Sequence, residues 1–249
     1  MTILSTLKES NMFRFLMLLL ALALTPSFGA FAQEDRPPQA VSDSAVAYFH
    51  RWGNEMRSYM GARASESLDS TRARTTFDYS FPSPFDGIQF FVFSYRGISP
   101  ETRDCFYTDQ DTTGWLNALV HKPDQLVQDT LLLQVNRWLS REKPLTAERF
   151  RGVVQFLLRC TGFERGSQAR ILQSWSGIDS DDDHPVPDSL KERIAPASFS
   201  TLSRGYRIEF YAWQPGSASL FRATVETVEN RIVVSSTYLG TVGVGYLVI

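Results

Sequence analysis

The segment 206-YRIEFYAWQPGSASLFRATVETVENRIVVSSTYLG-240 contains three runs in which apolar and polar residues alternate. Alternation with a period of two is typical of β-strands that bury one face. Pro215-Gly216 and Glu229-Asn230 separate the runs, and such residues favour turns. The segment therefore predicts an antiparallel β-meander, whose apolar face must be covered by other elements.

Helices predicted upstream of the meander can supply that cover. Phe49 to Met60 form an apolar stripe at helical spacing, in a helix expected to begin at Ser42, Asp43 or Ser44. Two more helices are predicted on either side of Pro144, and the second carries an apolar stripe over 150–158. We expect both stripes to pack on the meander. Trp115 is also assigned to a helical apolar stripe, and hence to the core.

The run Ile88 to Tyr95 is apolar on both faces, which predicts a central strand in the same sheet as the meander. Strands come before and after a helical pair, so the predicted class is α+β. The expected architecture is a mostly antiparallel sheet with a C-terminal β-meander, packed by an N-terminal helix and a helical hairpin. A cystatin-like or NTF2-like shape fits this description, as an analogy at the level of fold class only.

The amino terminus has the pattern of a secretory signal peptide. Lys8 and Arg14 precede the apolar run 15–24, which is followed by Ala30-Phe31-Ala32. The run is too short for a membrane helix, which needs about 20 residues, although a retained signal anchor is the alternative. We predict a signal peptide over 1–32, an extended leader over 33–41 and a single α+β domain over 42–249.

Composition bounds the location and the partners. The net charge of −2 gives no electrostatic reason to expect nucleic acid as a partner. Arginine greatly outnumbers lysine, which suggests a GC-rich bacterial genome. We therefore expect a secreted or periplasmic bacterial protein without a transmembrane segment in the mature chain.

Cys105 and Cys160 are the two cysteines, and in an oxidising compartment they predict a disulfide. A nucleophilic cysteine is the alternative.

An acidic run, 179-DSDDDHPVPD-188, is the densest group of polar residues. Asp179, Asp181 and Asp183 occupy alternate positions and could bind calcium. His184 stands where an EF-hand loop requires glycine, so the match to that motif is poor. A solvated acidic loop and a catalytic His184 with an aspartate partner are the alternatives. No cofactor other than calcium is indicated.

The mature chain lacks the short motifs of common hydrolases and phosphate-binding enzymes. Tyr211 and Trp213 lie on the more polar face of the first meander strand, where an exposed aromatic pair could bind a ligand. The leading hypothesis is a non-enzymatic protein that binds a partner or a small apolar ligand. The alternative is a hydrolase with a composite site, in which His184 acts with Asp181 or Asp183.

Overall fold

The computed structural model describes residues 36–61, 64–97, 101–110, 112–116, 125–163 and 167–245. The fold class is α+β, as the sequence predicts, and every strand pair in these ranges is antiparallel. The predicted signal peptide lies outside the described residues. The helices are α1 (Gln39–Tyr59), α2 (Leu68–Arg74), α3 (Asp129–Leu139), α4 (Ala147–Arg159) and α5 (Asp188–Lys191). The strands are β1 (Thr75–Phe81), β2 (Ile88–Tyr95), β3 (Thr102–Asp109), β4 (Thr112–Leu116), β5 (Arg170–Ile171), β6 (Ser198–Leu202), β7 (Gly205–Gln214), β8 (Ser219–Val228) and β9 (Arg231–Thr241).

The first sheet has the strand order β1-β2-β3-β4, and β2 is buried on both faces, as its apolar run predicts. On one face, Phe91 and Phe93 pack in a cluster with Phe49 of α1. On the other face, the ring centroid of Phe90 lies 5.7 Å from that of Trp138 and 4.7 Å from that of Phe156. The sheet is therefore covered by α1 on one side and by the hairpin of α3 and α4 on the other.

Helix α1 begins at Gln39, earlier than the expected start at Ser42, so the last three residues of the predicted leader are helical. Pro38 occupies the N-cap position and no side chain caps the helix. Val41 and Ala45 are completely buried in the cluster around Phe49. Packing of the first turn, rather than a polar cap, therefore decides where the helix begins. None of the described helices combines the length and apolar character that a membrane span requires.

The helical hairpin forms a layer between the first sheet and the meander. Its second helix begins at the predicted cap, Thr146, whose side chain accepts a hydrogen bond from the backbone N–H of Arg149 at 3.2 Å. Phe150 stacks on Tyr206 of β7 with ring centroids 5.8 Å apart. Asn136 of α3 donates to the carbonyl oxygen of Ile232 at 3.0 Å and accepts from its N–H at 2.7 Å. The hairpin therefore contacts both sheets.

The predicted meander is confirmed as β7, β8 and β9, which lie in a second sheet together with β5 and β6. The expectation that 88–95 belongs to the meander's sheet is wrong, because β2 pairs with its sequence neighbours β1 and β3. The expectation that the α1 stripe covers the meander is wrong for the same reason, since α1 packs on the first sheet. Sequential strands joined by short turns pair with one another more readily than strands far apart in the chain.

Candidate functional site

The aromatic pair predicted on β7 is not an exposed platform, because Trp213 is completely buried. Trp213 packs with Leu172, Ile178 and Leu220. Tyr211 is partly buried and contacts the same cluster. The Trp213 indole N–H donates to the carbonyl oxygen of Val242 at 2.9 Å. The segment from 170 to 194 covers this face of the meander, so the predicted exposure of Trp213 is wrong.

The acidic loop does not gather its carboxylates into a metal site. Asp179 pairs with Arg170 at 2.6 Å, while Asp181 accepts a hydrogen bond from the backbone N–H of His184 at 2.7 Å. The Nδ1 atom of His184 lies 3.0 Å from the Oδ1 atom of Asp181. These hydrogen bonds lower the pKa of Asp181. Asp183 is exposed. In the part of the chain that the structure describes, no three or more His, Cys, Asp or Glu side chains are arranged so that they could hold a metal ion.

Cys105 of β3 and Cys160 at the C-cap of α4 are both buried, and both are free thiols. The predicted disulfide is therefore not formed. An even number of cysteines indicates that pairing is possible, but it does not fix the geometry that a disulfide bond needs. Burial raises the pKa of both thiols. The alternative prediction of a nucleophilic cysteine also loses its basis, because a reactive thiol needs access and a lowered pKa.

A thiol reagent is expected to react much more slowly with the native protein than with the unfolded protein. Burial excludes the reagent and suppresses the thiolate, which is the reactive form. In denaturant without reductant, titration is expected to find two thiols per chain, Cys105 and Cys160. Finding none under those conditions would contradict the free-thiol state.

A cluster of Tyr48, Asp104 and Trp115, hereafter the aromatic-carboxylate cluster, lies between α1 and the first sheet. The Trp115 indole N–H donates to the Oδ1 atom of Asp104 at 3.1 Å, and the Tyr48 hydroxyl lies close enough to this carboxylate to lower its pKa. The Tyr48 and Trp115 rings are stacked, with centroids 4.7 Å apart and an interplanar angle of 29°. Asp104 is 2% exposed, whereas Trp115 is 39% exposed.

The local sequence explains how these side chains meet. In β3, Asp104 and Phe106 face α1, and Trp115 of β4 is the partner of Phe106 across the strands. Gly114 allows the close approach of β4, since a Cβ atom there would lie 2.5 Å from the ring of Tyr107. On the helix side, the hydroxyls of Ser44 and Thr113 are 2.9 Å apart, which ties α1 to β4.

Asp104 is a buried carboxylate without a cationic partner among the described residues. Burial raises its pKa to about 6, against the opposing effect of the Trp115 and Tyr48 hydrogen bonds. Burial also raises the pKa of Tyr48. Of two charged residues on α1, Arg51 lowers this pKa and Glu55 raises it. Strong shifts caused by burial are concentrated at functional sites. A carboxylate in this state can act as a proton acceptor or attract a cation.

A second polar group is centred on Glu66, whose carboxylate, unlike that of Asp104, has cationic partners among the described residues. The Glu66 carboxylate accepts hydrogen bonds from the Tyr95 hydroxyl and from Ser70, and it pairs with Arg57 at 2.8 Å and with Arg74 at 3.2 Å. Burial opposes ionisation here, but the hydrogen bonds from Tyr95 and Ser70 and the two arginines lower the pKa of Glu66. This network fastens α1 and α2 to β2 and gives the Glu66 carboxylate two cationic partners.

The sequence does not predict the aromatic-carboxylate cluster, because its pattern favours a helix at Trp115. Thr112-Thr113 are β-branched and follow the apolar residues Cys105-Phe106-Tyr107 after a short polar stretch, which is a hairpin signal. Gln110 has a positive φ of 55°, as hairpin turns require. No sequence pattern indicated that Asp104 would be buried beside Tyr48, because the two residues belong to elements far apart in the chain.

Comparison of the chain with models of protein families, with curated proteins and with solved structures gave no match. Function must therefore be inferred from the chemistry of the described residues.

Proposed function

We propose that this chain is an exported, non-enzymatic protein that binds a small ligand or partner group combining an apolar body with a positive charge. The binding site in this proposal is the aromatic-carboxylate cluster. The observation that carries it is a buried carboxylate, Asp104, which has no cationic partner among the described residues and lies beside a partly exposed aromatic stack. The proposal keeps the ligand class expected from sequence, an apolar molecule held by aromatic rings, but assigns it to different residues.

The carboxylate supports a cationic ligand because an unpaired buried charge destabilises a fold unless something balances it. The Trp115 indole N–H and the Tyr48 hydroxyl, which both interact with Asp104, are neutral, so they do not cancel its charge. A bound cation would supply the missing positive charge. It would also favour the ionised carboxyl, so that ligand binding and deprotonation of Asp104 reinforce each other.

The Trp115 ring supplies the contact surface. Tyr48 is its ring partner within the described parts of the chain, and the indole is 39% exposed. The face of a tryptophan ring is the best aromatic partner for a cation. Because the indole N–H donates to a carboxylate, the ring carries additional electron density, which strengthens the attraction to a cation. The ring and Asp104 therefore act on the same ligand charge.

The hydrolase alternative has less support. His184 is 62% exposed and its hydrogen-bond partner is Asp181, which is itself 52% exposed. Two exposed groups on a surface loop lack the water-excluding environment in which general acids and bases usually act. Asp104 is the carboxylate with the raised pKa, and it lies in the first sheet rather than beside His184.

Export remains part of the proposal on the strength of the amino-terminal pattern. Positive residues, an apolar run of about ten residues and the small-residue site at 30–32 support secretion or a periplasmic location. Mass determination of the protein recovered from the extracellular or periplasmic fraction of the source organism tests this, with a new amino terminus at Gln33 as the expected result.

Choline and its uncharged isostere dimethylbutanol test the binding proposal by titration calorimetry near pH 8. Choline is expected to bind the wild-type protein, and dimethylbutanol to bind at least about tenfold more weakly, because it lacks the charge. Asp104→Asn keeps the shape of the side chain and removes the charge, so it is expected to weaken choline binding by about tenfold or more. Trp115→Leu is expected to have a similar effect.

The matched control is Trp175→Leu. Trp175 is 41% exposed and contacts a cation, Lys191, but it is not joined to a buried carboxylate. Its removal is expected to leave choline binding unchanged. Equal binding of choline and dimethylbutanol, or equal choline binding by wild type and Asp104→Asn, would refute the proposed site.

A further inference from the structure

A cleft of about 300 Å³ lies at one end of the second sheet, away from the residues of the aromatic-carboxylate cluster. Three turns of the chain border it. The loop between α3 and α4 contributes Leu145, the β6–β7 turn contributes Ser203 and Arg204, and the β8–β9 turn contributes Asn230. The volume is at the lower end of the range for small-molecule sites.

The walls of this cleft are held in place by specific contacts. Asn230 accepts a hydrogen bond from the backbone N–H of Leu145 at 3.1 Å and donates to the carbonyl oxygen of Leu139 at 2.8 Å. Gly205 has a φ of 151°, and a Cβ atom there would lie 1.9 Å from the Oγ1 atom of Thr227. Only glycine therefore allows β7 to begin so close to β8. The cleft is preorganised, which reduces the entropy that a ligand must overcome on binding.

The lining has one charge sign. Arg204 is its charged residue, and none of the lining residues is acidic. The exposed guanidinium has no ion pair with a described carboxylate. Thr201 and Ser203 add hydroxyl donors beside it, while Leu145, Leu202 and Tyr206 supply apolar surface. Positive charge and hydroxyl donors thus stand next to an apolar wall.

We infer that this cleft binds a small organic carboxylate. The Arg204 guanidinium binds the ligand's carboxylate through two parallel N–H···O hydrogen bonds, a geometry that arginine favours. The hydroxyls of Thr201 and Ser203 donate to its oxygens, and the hydrocarbon part of the ligand lies against Leu145, Leu202 and Tyr206. This site is independent of the aromatic-carboxylate cluster and has the opposite charge preference.

The test uses hexanoate, its uncharged counterpart hexanol, and sulfate as an anion without an apolar part. Binding is followed by amide chemical shifts in the purified protein. Hexanoate is expected to shift the amides of 201–206 and of Asn230 saturably, while hexanol and sulfate each bind at least about tenfold more weakly. Arg204→Gln is expected to weaken hexanoate binding by about tenfold or more.

The matched control is Arg222→Gln. Arg222 is an exposed arginine on β8 that does not line the cleft, so hexanoate binding is expected to stay unchanged. Absence of saturable shifts at 201–206, equal binding by Arg204→Gln and wild type, or equal binding of hexanol would overturn the inference. Sulfate binding as strong as that of hexanoate would also overturn it, because the site would then select charge alone.

Discussion

Asp104→Asn is expected to raise the free energy of unfolding by about 3 kcal/mol above pH 7 and to change it little below pH 4. Burial raises the pKa of Asp104 from 3.8 to about 6. Between these two values the folded state holds a proton that the unfolded state has released, so stability falls as pH rises. Above pH 6 the wild-type protein has lost this free energy of unfolding completely, and the loss no longer changes with pH. The Asp104→Asn variant does not lose it, because asparagine carries no charge.

Denaturant unfolding of both proteins at a series of pH values measures this difference. The curves of unfolding free energy against pH are expected to converge below about pH 4, to separate between about pH 4 and 6, and to run parallel above that range. A variant that is less stable than wild type throughout would contradict the assignment, because it would show that the ionised Asp104 makes a net favourable interaction. A stabilising substitution that also weakens ligand binding is typical of a functional residue.

Glu66→Ala is expected to destabilise the fold by about 3 to 5 kcal/mol at neutral pH. The substitution leaves Arg57 and the Tyr95 hydroxyl without their shared acceptor in a site where the Glu66 side chain is 3% exposed. The pH dependence is opposite to that of Asp104. Because the pKa of Glu66 is lowered from 4.5, its stabilising effect is present above that value and is lost as pH falls through the lowered pKa.

Thermal and denaturant unfolding check the Glu66 prediction. Asp188→Ala is a suitable control, since Asp188 forms an exposed ion pair with Lys191 and its removal is expected to cause no measurable loss. Glu66→Gln keeps the size and two hydrogen-bonding atoms of the side chain, so a smaller loss is expected and a folded variant remains available. A neutral effect of both Glu66 variants would show that the network does not stabilise the packing of α1 and α2.

The local elements of the fold were largely predictable from sequence. The alternation in β7 and β8 and the helical stripe of α4, with Thr146 as its cap, each have a period that a single segment reveals. The division into two sheets was not predictable in this way. A buried strand such as β2 has apolar residues on both faces, and that pattern does not specify which other strands pair with it.

The candidate site was much less predictable than the fold. Trp213 carries the pattern of an exposed strand residue, but the irregular segment that buries it has no periodicity to reveal a cover. For Trp115 the sequence predicted burial in a helix, whereas the residue is partly exposed on a strand. A five-residue strand is too short to distinguish from the first turn of a helix. The raised pKa of Asp104 depends on burial by α1, which only the tertiary structure determines.

The carboxyl pKa of Asp104, measured by NMR with and without choline, tests most directly the claim that this buried carboxylate belongs to a cation-binding site. The free protein is predicted to show a pKa of about 6. Choline is predicted to lower that value, because a neighbouring cation favours the ionised form. A pKa close to the ordinary 3.8 that choline does not change would contradict the claim.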